Sequence, residues 1–228
     1  MTDLVHITTA DDVATLTMDD GKANALSPAM FAALNDAFDR VEKSDVAAVV
    51  LAGRPGRFSG GFDLHVLRAG GPDAVGMLRS GFELAERLLG FPRPVVMACT
   101  GHAVAMGAFL MCSGDYRVGA AGDFKLQANE VAIGLTMPDP AAAILRYRLT
   151  PAAFDRAVGL SERFSPVTAV ADGWLDLVVA PDEVVDTAQR VAASFAGLDA
   201  TAHANSKRVA RAVLLAEVRS GIESEFGG

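Results

Sequence analysis

A chain of 228 residues that is 51% hydrophobic is long enough for one large α/β domain with a substantial core, or for two small ones. Its formal net charge of −8 provides no basic surface for nucleic acid. No apolar run reaches the roughly 20 residues that cross a bilayer, and the start MTDLVHITTA lacks the order of a signal peptide. We therefore expect a cytoplasmic protein without a membrane or nucleic-acid partner.

The first third of the chain predicts a hairpin followed by a helix. The runs VHITT (5–9) and VATLTM (13–18) read as strands joined by a short acidic turn. Ser27 and Pro28 are typical of the cap and first turn of a helix. The apolar residues that recur along one face of this helix are Met30, Leu34, Phe38 and Val41.

The middle of the chain alternates strands and helices. Buried strands are predicted at 46–53 and 94–101, and a helix from about 73 to 89 lies between them. We expect its inward side chains to be Val75, Leu78, Phe82 and Leu89. This order predicts an α/β fold with mainly parallel, covered sheets. Alanine-rich segments near 182–196 and 201–218 predict C-terminal helices.

Two glycine-containing turns follow the two buried strands. They are RFSGGFDL (57–64) and GHAVAMGAFL (101–110), and the second leads into a helix. Glycine permits close approach of a backbone, and a helix N-terminus presents unpaired N–H groups to negative charge. Two such turns that converge can supply one N–H each to the same oxygen, as an oxyanion hole does. Each of these glycines, taken alone, is explained equally well by the need for a tight turn.

RFSGGFDL, GHAVAMGAFLMCSGDYRVGA and FKLQANEVAIGLTMP, in this order and spacing, resemble the signatures of the crotonase (enoyl-CoA hydratase/isomerase) family. The segment DDGKANALSP resembles the family's stretch near the CoA. The resemblance implies a spiral of repeated β-β-α units over 1–180 and a short C-terminal helical region, 181–228, for trimerisation and pocket cover. It also implies a homotrimer or dimer of trimers, acyl-CoA thioester substrates and no separate cofactor or metal.

Carried onto this chain, the resemblance places the two amide donors at Gly60 and Met106. The residues that it implies along the substrate and CoA path are Lys22, Ala23, Ala25, Gly60, Gly61, Phe62, Asp63 and Phe109. By type alone, Asp63 is more often a turn cap than a catalyst. Lys22, Arg54 and Arg57 are candidates for the CoA phosphates, and each is equally explained as a solvated surface charge.

Glu130 lies in the apolar run QANEVAIG with no cation beside it, so its carboxylate faces water, finds donors or holds its proton tightly. It matches one of the two family glutamates that hold water in hydratases, whereas the other position falls on Phe109. The pattern is more similar to the 3,2-enoyl-CoA isomerases, which use one glutamate. Two sets of alternatives stay open. For Glu130, the alternative is a helix- or loop-capping role. For the protein, the alternatives are a hydratase, a thioester hydrolase and a non-catalytic acyl-CoA-binding homologue.

Asp139 follows Met137 and Pro138 in GLTMPDPAAA, where a helix is predicted to begin. The favoured interpretation is an N-terminal cap. Some family members place a functional aspartate near this position, which makes Asp139 a candidate second acid. Many relatives also continue with further helices beyond the position of EFGG, so the resemblance implies an acyl pocket that is more open, or that is closed by another protomer.

Overall fold

The structure is a computed structural model and describes residues 3–227. Its strands are β1 (Val5–Ala10), β2 (Val13–Met18), β3 (Ala25–Leu26), β4 (Ala48–Ala52), β5 (Gly56–Ser59), β6 (Gly61–Phe62), β7 (Val95–Cys99), β8 (Gly101–Val104), β9 (Tyr116–Ala120), β10 (Leu126–Gln127) and β11 (Leu177–Val179). Its helices are α1 (Pro28–Glu42), α2 (Leu64–Ala69), α3 (Gly71–Gly90), α4 (Met106–Cys112), α5 (Asp139–Arg148), α6 (Pro151–Leu160), α7 (Pro166–Asp172), α8 (Val184–Ser194), α9 (Ala200–Ala210) and α10 (Ala212–Phe226).

The strands form two main sheets. The larger has the order β1-β2-β4-β7-β9-β11, and only its β1–β2 pair is antiparallel. The smaller has the order β10-β8-β5 and is parallel throughout, while β3 and β6 pair separately. Parallel strands need helical crossovers, which cover the sheets and bury the strands. The predicted α/β class with mainly parallel sheets is confirmed.

A β-β-α unit repeats along the chain. In each unit the first strand joins the large sheet and the second joins the small sheet: β4 with β5, β7 with β8, and β9 with β10. Helices follow each pair, namely α2 and α3, then α4, then α5. This is the predicted spiral of β-β-α units. The second strands were missed as strands, because each has two to four residues and pairs only with distant segments.

The predicted hairpin and first helix are confirmed. Strand β1 pairs with β2 from Val5 opposite Met18, and the turn residues Asp11 and Asp12 have φ of 49° and 58°. Positive φ at both central residues is the geometry that matches the twist of a two-residue hairpin. Ser27 caps α1, since its side-chain oxygen accepts a hydrogen bond from the Met30 amide.

The inward face of α3 differs from the prediction at one position. Val75 is 43% exposed, whereas its neighbour Ala74 and Met77 are buried. Phe82 and Leu89 are buried as predicted, and Leu78 is partly buried. The helix begins two residues earlier than predicted, and its buried stripe follows Ala74, Met77 and Phe82, which leaves Val75 about 100° away from the stripe.

The C-terminal helices pack on the core in two ways. Val184, Ala188 and Ala192 of α8 pack against apolar side chains of the large sheet, including Val50 and Val96. The predicted helix over 201–218 is divided at Arg211, whose guanidinium turns inward to Asp115 at 2.8 Å and to the Leu89 carbonyl at 3.0 Å. Helix α10 then runs to Phe226 and packs against α3 and α5 of its own chain.

Both cysteines are buried free thiols, as their apolar segments predict. Burial raises the pKa of Cys99 to about 12 and the pKa of Cys112 to about 11, so neither thiol ionises near neutral pH. Within residues 3–227, every helix is too short or too polar to cross a bilayer.

Candidate active site

Three adjacent parallel strands of the small sheet end at the three predicted site segments. Strand β5 leads into Gly60, β8 leads into Met106, and β10 leads through a short connection to Glu130. The carboxyl ends of parallel strands meet at one edge of a sheet, which is where ligands bind in open α/β folds. The fold therefore brings together residues that lie 70 positions apart in the chain.

The second turn presents the start of α4. Ala105 has φ 50° and ψ −128°, a left-handed conformation that is unfavourable for any residue except glycine, and it redirects the chain from β8 into α4. Met106 is the first residue of α4, so its N–H precedes the helical hydrogen-bond ladder. Among the described residues, no acceptor pairs with this N–H.

The two turns touch each other. A β-carbon on Gly61 would lie 3.5 Å from the Met106 nitrogen and 2.9 Å from the Val104 carbonyl oxygen, and Gly61 has φ 92°. A β-carbon on Gly107 would lie 2.6 Å from the carbonyl oxygen of Ser59. Only glycine permits this approach, so the predicted convergence of the two turns has a steric basis at both positions.

The first turn differs in one respect from the predicted geometry. Gly60 is exposed, but its N–H donates to the Ala23 carbonyl at 2.9 Å. Lys22 and Ala23 are exposed beside it, and the Arg54 guanidinium donates to the Lys22 carbonyl at 3.0 Å. Lys22, Ala23 and Gly60, which the resemblance placed along the CoA path, form one accessible edge of the structure.

Hydrogen bonds to Asp20 hold the loop that carries these residues. The Asp20 carboxylate accepts hydrogen bonds from the amides of Lys22, Asn24 and Ala25 at 2.7 to 2.8 Å. The pKa of Asp20 is lowered: desolvation on burial opposes the shift, but the three amide bonds and nearby Arg54 outweigh it. Ala25 itself pairs with Gly61 between β3 and β6.

Phe62 and Asp63 have clear structural surroundings. The Phe62 ring packs edge-on against Phe31 and Phe82, with centroids 6.1 and 6.3 Å apart. Asp63 is the N-cap of α2, and its Oδ1 accepts from the His65 amide at 2.8 Å. The capping interpretation of Asp63 is confirmed.

Glu130 is a buried carboxylate with one oxygen that has no partner. Its residue is 8% exposed, and within residues 3–227 nothing donates a hydrogen bond to its buried Oε2. Burial raises the pKa of Glu130 to about 7, because the charged form loses hydration. Its side chain caps no helix, although it precedes a single 3-10 turn at Val131–Ile133, so the capping alternative is wrong.

The apolar residues after Glu130 do not bury it. Val131, Ile133 and Leu135 are 45%, 57% and 54% exposed. The apolar run around Glu130 therefore does not account for its raised pKa within the single chain. The shift comes from the position of the carboxylate itself, which points into the protein while the following turn faces outward.

Asn129 and Ser161 are site residues that sequence reasoning missed. The Asn129 Oδ1 is buried without a partner among the described residues, as is the Oε2 of Glu130, the next residue in the chain. The Ser161 hydroxyl accepts from the Ala132 amide at 3.1 Å, and its carbonyl accepts from the Gln127 side chain at 2.8 Å. The amide side chains in QANE were the available signal for Asn129, whereas nothing local indicated Ser161.

Phe109 lies on α4, one turn after Met106, and is 1% exposed. Its ring stacks on Phe82 with centroids 6.2 Å apart, and Phe82 stacks in turn on Phe226 of α10 at 5.6 Å. Phe109 can neither accept nor donate a proton. Apolar rings thus occupy the position of a second acid or base.

Asp139 is not the predicted cap. Pro138 precedes α5 as its N-cap, and Asp139 is the exposed first residue of the helix with no capping bond from its side chain. The Asp139 amide instead donates to the carboxylate of Glu225 on α10 at 2.6 Å. Proline at the second position of the helix fixes where the helix begins, and α10 supplies the acceptor for the first amide.

A cavity of about 780 Å³ begins just beyond Asp63, between α1, α2 and α3. His65 lies on its rim, and Phe31 and Met77 line its apolar side. In the described part of the chain, no three His, Cys, Asp or Glu side chains lie close enough together to hold a metal ion.

Comparison with known proteins matches this arrangement to one family. The model of the enoyl-CoA hydratase/isomerase family aligns with residues 8–223. The chain belongs to the crotonase (enoyl-CoA hydratase/isomerase) family. The family assignment and the fold predicted from the sequence motifs are both confirmed.

Solved structures of similar crotonases cover nearly the whole chain. One, from Mycobacterium tuberculosis H37Rv, is described as the probable enoyl-CoA hydratase EchA3; it is 51% identical, covers 99% of this chain and 97% of that one, and has a TM-score of 0.95. Another structure of the same Mycobacterium tuberculosis protein, described as an enoyl-CoA isomerase, is 51% identical over 98% of this chain and 97% of that one, with a TM-score of 0.94.

A curated crotonase from Mycobacterium avium, the probable enoyl-CoA hydratase echA17, is 32% identical over 89% of this chain and 75% of its own length. The relatives therefore carry both hydratase and isomerase names. Members of one fold family differ in the side chains that do chemistry, so the reaction of this crotonase must be read from its own site.

Proposed function

We propose that this crotonase is a 3,2-enoyl-CoA isomerase that transfers a proton with one carboxylate. The observation that carries the proposal is Glu130, whose buried, unpartnered oxygen and pKa near 7 suit a base that must take and return a proton near neutral pH. Phe109 supports it, because its ring offers no second acid or base to activate water.

In this mechanism the Glu130 carboxylate removes a proton from C2 of a 3-enoyl-CoA. The electron pair of the broken C–H bond delocalises over the dienolate, and negative charge grows on the thioester oxygen. The Met106 N–H at the start of α4 stabilises that charge, together with the Gly60 N–H, which the thioester oxygen shares or takes over from the Ala23 carbonyl. Protonated Glu130 then donates the same proton to C4, which yields the 2-enoyl-CoA.

The exposed edge of the first turn supports an acyl-CoA thioester as the substrate. Lys22 and Ala23 lie beside Gly60, so a CoA bound along this edge places its thioester at the two turns. The net charge of −8 makes local cations necessary for the CoA phosphates, and Lys22, Arg54 and Arg57 are the candidates. The proposed reaction is a proton transfer and requires neither a metal nor a dissociable cofactor.

Hydration of a 2-enoyl-CoA is the second candidate, and the hydratase names of several relatives favour it. The two reactions differ in mass: isomerisation conserves it, hydration adds one water, and thioester hydrolysis releases free CoA. Purified protein incubated with 3-enoyl-, 2-enoyl- and saturated acyl-CoAs and analysed by mass spectrometry separates all of these. Faster hydration of the 2-enoyl-CoA than isomerisation of the 3-enoyl-CoA would refute the isomerase assignment.

Replacement of Glu130 by Gln tests the base directly. Glutamine keeps the size of the side chain, so acyl-CoA affinity by calorimetry should persist while turnover falls by roughly 10² to 10⁴-fold. The matched control is Glu183→Gln at an exposed position, which should leave both unchanged. A folded Glu130→Gln variant with normal turnover would leave the proposed mechanism without a base, and affinity without any turnover in the unmodified protein would support the binding-protein alternative.

A further inference from the structure

Ser161 follows α6 in a left-handed backbone conformation. Its φ is 49° and its ψ is 38°, a region that favours glycine. The residue is only 7% exposed, and its hydroxyl accepts a hydrogen bond from the Ala132 amide at 3.1 Å. A serine in a conformation that suits glycine better points to a use for the hydroxyl.

Ser161 is fixed by contacts other than the bond to Ala132. Its amide donates to the Arg156 carbonyl, and its own carbonyl accepts from the Gln127 side chain at 2.8 Å. Three residues later, the backbones of Phe164 and Leu126 exchange two hydrogen bonds of 3.0 Å. The chain after α6 therefore lies alongside β10 and is held there.

The turn that begins at Glu130 depends on this anchor. Residues 131–136 are all exposed. The Glu130 carbonyl accepts from the Ile133 and Leu135 amides at 3.1 and 2.9 Å, so the Glu130 peptide is itself part of the turn. In the described part of the chain, the bond from the Ala132 amide to the serine hydroxyl is the one hydrogen bond between 131–136 and another segment. A displacement of the turn therefore displaces the backbone of Glu130.

The hydrogen bonds of Ser161 lie on both sides of Glu130. They join it to Gln127, three residues before the glutamate, and to Ala132, two residues after it. The buried Oε2 of Glu130 accepts from no donor among the described residues. The position of this carboxylate oxygen is therefore set by packing and by the backbone, and Ser161 holds that backbone.

We propose that Ser161 is a positioning residue, whose hydroxyl anchors the turn after Glu130 and so keeps the carboxylate in its buried position. The expected effect on turnover rests on the proposed role of Glu130 as the base. Ser161 acts through Ala132 and not on the substrate, so its loss should affect the chemical step more than binding. A displacement of about 1 Å at a reacting group can lower a rate by about 100-fold.

The first test needs no turnover. The infrared band of the protonated Glu130 carboxyl, isolated by subtracting the spectrum of Glu130→Gln, disappears as the pH rises and reports the pKa of this group. We expect a midpoint near 7 in the parent protein and a fall toward 4.5 in Ser161→Gly, because a displaced turn lets water reach the carboxylate. Glycine suits the φ of this position, so the variant loses the hydroxyl without added backbone strain.

Asp12→Gly is the matched control. Asp12 is exposed in the β1–β2 turn with φ 58°, and its side chain makes no hydrogen bond within the described residues. This substitution relieves a similar backbone conformation away from the Glu130 segment, so the midpoint should not change. Ser161→Asn is the conservative variant. Asparagine tolerates the left-handed region and offers a side-chain acceptor, so most of the parent midpoint should be retained.

The second test is turnover of a 3-enoyl-CoA at pH 8. We expect Ser161→Gly to lower kcat by about 10 to 100-fold with KM within about threefold of the parent value, and Asp12→Gly to change neither beyond about threefold. A parent protein that titrates near 7 but isomerises nothing would refute the proposed reaction, and the midpoint comparison would still decide the role of Ser161.

A midpoint in Ser161→Gly equal to that in Asp12→Gly would overturn the inference, whatever the rate. A parent midpoint near 4.5 would overturn it as well, because no buried carboxylate would then be held. Should Ser161→Gly fail to fold, Ser161→Cys decides by the same band, since a thiol fills the place of the hydroxyl but is a weak acceptor. A midpoint below that of the parent supports the inference, and a parent-like midpoint refutes it.

Discussion

At the residue scale, the proposed role of Glu130 as the base predicts that activity depends on pH in a defined direction. The base must be ionised to accept a proton, and burial holds its pKa near 7. We expect kcat/KM for a 3-enoyl-CoA to rise with pH, with a midpoint near 7, and to level off above it. The affinity for a saturated acyl-CoA over the same range controls for titration of the CoA phosphate. A midpoint near 4.5 would mean that the carboxylate is hydrated in solution.

The same pKa makes Glu130 destabilising at neutral pH. The folded state holds the proton more tightly than the unfolded state, so stability is lost as the pH rises from about 4.5 to about 7 and stays reduced above that range. Glu130→Gln should therefore be more stable than the parent at pH 8, by up to about 3 kcal/mol. Urea unfolding at pH 5 and pH 8 measures the difference, which should shrink at the lower pH.

The exposed Glu183→Gln variant is the control for this measurement, and it should show no such pH dependence. A Glu130→Gln variant that is less stable than the parent at pH 8 would show that the carboxylate has a stabilising partner in solution.

At the element scale, the packing of α10 on α5 depends on Gly221. A β-carbon there would lie 2.7 Å from the Pro140 side chain and 3.2 Å from the β-carbon of Asp139. Gly221→Ala should therefore lower the free energy of unfolding by about 1 to 3 kcal/mol, although alanine is the better helix former. Gly76→Ala in α3, where nothing lies within 4 Å, should raise it by about 0.5 to 1 kcal/mol.

Chemical denaturation of the two variants under one condition gives the comparison. Equal stabilisation by both alanine substitutions would show that α10 and α5 are not in tight contact at Gly221.

The sequence motifs suggested a pocket that is open or covered by another protomer. Helix α10 lies across α3 and α5 of its own chain, with Phe226 stacked on Phe82.

The expected effect of replacing Asp139 depends on its position at the start of α5. Its carboxylate is exposed at the first turn of α5, where a negative charge is worth about 0.3 to 1 kcal/mol through the helix dipole. Asp139→Asn should lose that small amount of stability and retain most isomerase turnover. A turnover loss as large as that of Glu130→Gln would instead place Asp139 in the catalytic apparatus.

At the scale of the whole molecule, the exposed residues Val131, Ile133 and Leu135 form an apolar segment directly after the catalytic candidate. Such a segment favours burial in an assembly. We expect a homotrimer or a dimer of trimers by light scattering, and dissociation on Ile133→Asp. Val75→Asp, an exposed apolar position on α3, is the matched control and should leave the mass unchanged. A monomeric parent protein would contradict this prediction.

Much of the fold was predictable because its signals are local. The runs VAAVVLAG and PVVMACTG became β4 and β7, and Ser27 with Pro28 began α1, since apolar periodicity and capping act within a few residues. The glycines of the two turns indicated that the chain approaches itself there. The motifs then assigned the family, and Glu130 and Phe109 are the residues on which the proposed isomerase reaction rests.

The sequence by itself thus determined the α/β class, the buried strands β4 and β7 and the carboxylate that is the candidate base, whereas the strand-strand-helix repeat came only from the resemblance to the family. Only the tertiary structure decided that Val75 faces outward, that Pro138 and not Asp139 precedes α5, and that the Gly60 amide bonds to Ala23. It also decided that Glu130 is buried while the next six residues are exposed. Burial, hydrogen-bond partners and pKa depend on contacts between segments that are distant in the sequence. A local sequence pattern does not show which distant segment makes those contacts.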